Sequence, residues 1–191
     1  MNLPNKLSVI RLCLIPVFAA AYFVTALPFN FLIAGVIFAI AAITDFLDGH
    51  IARKYGLVTD LGKFLDPIAD KVLVSTAYII MLVPVGEFSA VMPWYCSIGT
   101  AVILARELIV SGFRMVASSK GVVLAADKAG KLKTIVQDVA AVVLLAGKQF
   151  MPETYSALNV VGLVLFGIAV LLTVISGTEC IVKNRAVLKS E

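Results

Sequence analysis

Asp45-Phe46-Leu47-Asp48-Gly49-His50-Ile51-Ala52-Arg53, an eight-residue connection, then Gly62-Lys63-Phe64-Leu65-Asp66-Pro67-Ile68-Ala69-Asp70: four carboxylates fall within 26 residues. What precedes them decides the fold. No charged residue occurs between Arg11 and Asp45. That stretch is too long for one membrane-spanning helix, which needs roughly 20 apolar residues, and about right for two. Pro28 and Asn30 supply the break near Leu27–Asn30.

The same logic runs through the 191 residues. The chain is 61% hydrophobic and 15% charged, with mean hydropathy +1.02. Soluble domains use roughly 45–50% apolar residues. A soluble chain this apolar would lack the polar surface to cover itself. The reading is an all-α, polytopic membrane helical bundle of six transmembrane helices. The spans are placed at about 8–27, 31–52, 64–84, 92–113, 132–148 and 156–178. One domain, 1–191, covers the chain, without repeats or linkers. Lys6 and Arg11 ahead of an apolar run with Ala19-Ala20-Ala21 imitate a signal peptide, but further apolar runs follow, and a retained first span is expected.

Charge placement orients the bundle. On the six-span reading, 15 of the 16 lysines and arginines fall on one side and only Lys148 opposite. The positive-inside rule makes that side, with both termini, cytoplasmic. Trp94 and Tyr95 are expected at the outer interface. Cys13, Cys96 and Cys180 form no disulfide or metal-ligand pattern and read as buried small hydrophobes. Asp138 and Gln137 face either the bundle interior or a cytoplasmic vestibule.

Charged groups at membrane depth are costly, so intramembrane carboxylates imply function. Asp45 and Asp48 are three apart, and Asp66 and Asp70 four apart. Each pair shares a helix face. A short connection makes the two helices antiparallel neighbours, with both pairs aimed into one cleft near the cytoplasmic surface. Four clustered carboxylates stay ionised only if cations neutralise them. Their hard oxygens select magnesium, manganese or calcium over zinc or copper. Two such ions would bridge a pyrophosphate and absorb charge as a P–O bond breaks. Gly49, Ala52 and Gly62 would let a flat or bulky ligand approach the backbone. Arg53, one turn beyond Gly49, could bind a phosphate.

The pattern Asp-x2-Asp-Gly-x2-Ala-Arg-x8-Gly-x3-Asp-x3-Asp resembles the signature of the CDP-alcohol phosphatidyltransferase family. All eight positions match: Asp45, Asp48, Gly49, Ala52, Arg53, Gly62, Asp66 and Asp70. Asn2, Pro4, Asn5, Ser8 and Arg11, the pair Arg106-Glu107 with Arg114, and the segment 128–134 extend the likeness to the bacterial members that act on glycerol 3-phosphate.

The resemblance implies a six-helix bundle, often a homodimer, in the bacterial inner (cytoplasmic) membrane, with its site at the cytoplasmic interface. Asp45, Asp48, Asp66 and Asp70 would hold divalent metal, Mg or Mn, as two ions. Asp70 would also be the catalytic base. Asp48, Gly49, Ala52, Arg53 and Gly62 would bind the CDP part of CDP-diacylglycerol. Arg106, Arg114, Lys128, Lys131 and Lys133 are candidates for the phosphate of glycerol 3-phosphate. Arg106 leads them because it interrupts the apolar run Ile98–Val110. Membrane lipids are the other expected partners, and nucleic acid is not.

Competing readings are weaker. An ion-pair network with Arg53, Lys63 and Lys71 would explain the carboxylates without chemistry. Positive-inside topology explains Lys183, Arg185 and Lys189 by itself. A carboxylate relay for ion transport would need polar residues continuing outward, and Val72–Val83 offers only Ser75, Thr76 and Tyr78. A di-iron bundle would need Glu-x-x-His pairs, and His50 is the one histidine. Within the family the acceptor could instead be inositol phosphate, phosphatidylglycerol or serine.

Overall fold

The computed structural model describes residues 3–55, 60–83, 93–122, 128–150 and 157–188. The side chains of residues 3–5, 45–55, 60–67, 70, 93, 128, 186 and 188 lie outside the described part. Six helices follow one another: α1 Leu3–Phe23, α2 Asn30–Tyr55, α3 Asp60–Met81, α4 Pro93–Ser119, α5 Lys128–Phe150 and α6 Ala157–Lys183, with a 3-10 turn at Arg185–Leu188. Among the described residues there is no strand.

Three segments, Lys6–Phe23, Trp94–Ser119 and Ala157–Lys183, are long and apolar enough to cross a membrane. Shorter apolar segments, Asn30–Thr44 in α2 and Lys71–Met81 in α3, continue as helix through the carboxylate stretch. The chain is thus a multi-pass helical membrane protein.

The helices overrun the expected spans at one end. α1, α3 and α5 begin four or five residues early, and α2, α4 and α6 end three to six residues late. All six overruns fall on the lysine- and arginine-rich side. A hydropathy run ends where the chain leaves hydrocarbon. The backbone hydrogen bonds that hold a helix do not end there. The four carboxylates lie just inside these overruns, within the expected spans of α2 and α3.

Contacts confirm the alternation of helix direction. The ends of α1, α2 and α5 meet where Asn30 donates to the Tyr22 carbonyl (3.0 Å) and Gln149 Oε1 accepts from the Phe31 and Leu32 amides (3.2 and 3.4 Å). Those amides are orphan donors of the first turn of α2. Lys148, the cation expected opposite the rest, lies at this same end. It is buried, donates to Tyr22 Oη (2.9 Å) and stands 4.4 Å from the Phe31 ring centroid.

The core is the inward face of α1, α2, α3, α5 and α6, around Phe18, Tyr22, Phe38, Leu73, Tyr78, Leu145 and Phe166. α6 packs through small inward residues, as membrane helices do to approach closely. A Cβ on Gly162 would stand 2.7 Å from Leu144 Cδ2, so glycine sets the α5–α6 spacing. α4 gives Ile103 to this core, packs Val110, Phe113 and Ala117 beside Cys180 of α6, and on its other face exposes Ile98, Leu108, Ile109 and Met115. Such a surface suits lipid.

One expectation needs correction. Cys13 is exposed and Cys96 intermediate, with only Cys180 buried. A thiol facing lipid gains nothing by turning inward. Trp94 and Tyr95, in the first turn of α4, are both exposed, and Tyr95 Oη donates to the Leu163 carbonyl (2.9 Å) with its ring edge-on to Phe166.

Candidate active site

α2 and α3 carry the carboxylates and pack against each other. Asp45, Asp48, Gly49, Ala52 and Arg53 fall in the last three turns of α2. Gly62, Asp66 and Asp70 fall in the first half of α3. Both aspartate pairs are therefore within helix, where spacings of three and four put each pair on one face. The side chains of all eight residues lie outside the described residues.

One turn further along α3 the described part of the site begins. A cleft opens between α3, α4 and α5 on the polar side chains of Lys71, Ser75, Glu107, Lys133, Thr134 and Gln137. Its apolar wall is Val74, one turn past Asp70, and Ile103. The space left between them is about 10 Å³.

Glu107 organises the cleft. Its Oε1 pairs with Arg106 (3.2 Å) and with the Lys133 ammonium. The Arg106, Glu107 and Lys133 side chains are only 14%, 17% and 5% exposed. Charges so buried need partners. One carboxylate between two cations leaves the triad with a net positive charge, to which Lys71 adds. Arg106 faces the other way, donating to Ser176 Oγ on α6 (2.8 Å). Its stem crosses Gly177, where a Cβ would lie 2.8 Å from Arg106 Cγ. Gln137 is 2% exposed. Its backbone carbonyl accepts from Tyr78 Oη (2.8 Å), and its Nε2 is buried without a hydrogen-bond partner.

The basic candidates thus separate. Lys133 lines the cleft, and Arg106 adjoins it but is fastened to α6. Arg114 and Lys131 are exposed, and the Lys128 side chain lies outside the described residues. Gln137 is buried and lines the cleft. Sequence reasoning missed Lys71 as a cleft residue and missed Ser176 and Gly177 altogether. It counted Arg11 toward orientation, whereas Arg11 is fully buried in α1 beside the equally buried Ser8. The available signal was a polar residue inside an apolar helix, which Arg11, Glu107 and Gln137 all give.

The donor set suits a hard divalent cation. The four aspartates offer oxygen only, and among the described residues no group of three or more histidine, cysteine, aspartate or glutamate side chains could hold a metal.

The fold is that of a multi-pass membrane protein with four aspartates on two consecutive, packed helices. Comparison with known proteins agrees. The family model for CDP-alcohol phosphatidyltransferases matches residues 1–175, and the chain belongs to that family. It is 38% identical to the CDP-diacylglycerol–glycerol-3-phosphate 3-phosphatidyltransferase of Bacillus subtilis, over 99% of this chain and 98% of the relative. It is 39% identical to the protein so named from Rickettsia bellii (92% and 91%), and 36% identical to that of Shigella flexneri (97% and 96%). The family depends in general on divalent metal.

Proposed function

We propose that this chain transfers the phosphatidyl group of CDP-diacylglycerol to glycerol 3-phosphate, giving phosphatidylglycerophosphate and CMP. The observation that carries the reading is the complete eight-position pattern from Asp45 to Asp70 on two packed helices of a chain of this family. The relatives' names, shared over nearly their full length, supply the acceptor.

Asp45, Asp48, Asp66 and Asp70 would hold two Mg or Mn ions. Bound there, the metal neutralises pyrophosphate charge and polarises the phosphorus–oxygen bonds. Asp48, Gly49, Ala52, Arg53 and Gly62 hold the CDP part, the small residues by admitting it to the backbone and Arg53 by its charge. Asp70 accepts the proton of the acceptor's primary hydroxyl. The oxygen attacks the lipid-side phosphorus, a new P–O bond forms, the pyrophosphate P–O bond breaks, and CMP leaves with the bonding pair. Positioning and electrostatic stabilisation carry most of the rate. The acceptor phosphate is drawn from the set Arg106, Arg114, Lys128, Lys131 and Lys133. The CDP head is water-soluble and the acyl chains are not, so the site lies at the cytoplasmic face of the inner membrane, with both termini on that side. The unit is one domain, 1–191, acting as a homodimer.

The test is CMP release by purified protein given CDP-diacylglycerol, Mg or Mn, and glycerol 3-phosphate, inositol phosphate, serine or phosphatidylglycerol in turn. Release is expected with glycerol 3-phosphate alone, and lost on chelation and in Asp70→Asn. Release with a different acceptor would overturn the acceptor. Release with none, from folded protein, would overturn the reaction.

A further inference from the structure

We infer that Glu107 and Gln137 form a hydroxyl-binding subsite that reads the non-reacting middle hydroxyl of a polyol phosphate acceptor. The inference rests on the proposed acceptor chemistry and deepens it.

Three observations converge. First, Gln137 Nε2 is a buried donor without a partner, in a residue 2% exposed that lines the cleft. A buried orphan donor is costly unless a ligand or water satisfies it. Second, both ion pairs of Glu107 fall on Oε1. Oε2 remains an acceptor in a residue that lines the same cleft. A donor and an acceptor lining one space match a hydroxyl, which both donates and accepts. Third, the space of about 10 Å³ is the size of one water or one hydroxyl.

The position also suits the reaction. Val74, on the cleft wall, lies one turn beyond Asp70 on α3. A glycerol chain whose terminal hydroxyl meets Asp70 carries its next hydroxyl one carbon away. Lys133 and Arg106 both hold Glu107 by Oε1, which leaves Oε2 for a ligand. A site that hydrogen-bonds a substrate hydroxyl rejects the analogue lacking it, because its own polar groups are then stranded.

The test compares glycerol 3-phosphate with 3-hydroxypropyl phosphate, which keeps the primary hydroxyl and the phosphate and lacks the middle hydroxyl. Wild-type protein is expected to favour glycerol 3-phosphate in kcat/KM by about 10-fold or more, the worth of a hydrogen bond to a charged group. Gln137→Leu and Glu107→Gln are each expected to bring that ratio to within about threefold of unity by slowing glycerol 3-phosphate alone. An equal fall for both acceptors, leaving the ratio unchanged, would show a merely structural role and overturn the subsite. So would a wild-type ratio already within about threefold of unity, whatever the variants do. Wild-type protein that turns over neither acceptor would overturn the acceptor reading, and the subsite with it.

Discussion

Placing a methyl group on Gly177 should unfasten Arg106. The Cβ of Gly177→Ala would lie 2.8 Å from Arg106 Cγ, 3.0 Å from Nε and 3.5 Å from Cδ. Carbon atoms in ordinary contact stand about 3.5–4.0 Å apart, so the stem must retreat by roughly 0.7 Å. It is held at its far end by Ser176 Oγ at 2.8 Å and by Glu107 at 3.2 Å. A retreat of that size takes the Ser176 bond to the limit of hydrogen bonding and the Glu107 contact past it. Overpacking costs about 1–3 kcal/mol, and a lost bond to a charged group costs about as much. The protein relaxes into whichever is cheaper, so the expected loss is about 1–3 kcal/mol rather than their sum. For a chain of this size that lowers the melting midpoint by about 2–12 °C. The assay is thermal unfolding in detergent of four proteins: wild type, Gly177→Ala, Arg106→Ala and the double variant. With the arginine stem gone, the added methyl has nothing to strike, and Gly177→Ala should then cost less than about 0.5 kcal/mol. Equal losses in both backgrounds would refute the account of Gly177 as the floor under Arg106.

Lys148→Met at the opposite end removes a hydrogen bond and an aromatic–cation contact while keeping the side chain's bulk. It should lower the melting midpoint by an amount equivalent to about 1–2 kcal/mol and leave the acceptor KM unchanged within about twofold; a larger KM change would deny that the two ends are independent. Gln149→Ala strands two first-turn amides of α2 and should cost about 1 kcal/mol, read in the same melting assay. Chelating divalent metal should abolish CMP release, and restoring Mg or Mn should recover it in wild type but not in Asp45→Asn, since an amide supplies a weaker, uncharged ligand.

Membrane residence, six helices, their alternating direction and the carboxylate pattern were all readable along the chain. Each is a one-dimensional property: the length of an apolar run, the side on which cations accumulate, the spacing of eight residues. Lys148 as the lone cation at the far end followed from the same counting. Helix ends did not, because hydropathy marks where the chain leaves hydrocarbon and not where its hydrogen bonding stops. Nor did the sorting of the basic residues. Arg106 and Glu107 are neighbours in sequence, but successive helical residues point about 100° apart. One consequently reaches Ser176 on α6 and the other Lys133 on α5. Which cation enters the cleft, and that Gln137 faces it with an unpaired amide, depends on how each helix is rotated against its neighbours. That rotation is set by close packing at positions such as Gly162 and Gly177, where the absence of a side chain matters only once the opposing helix is in place.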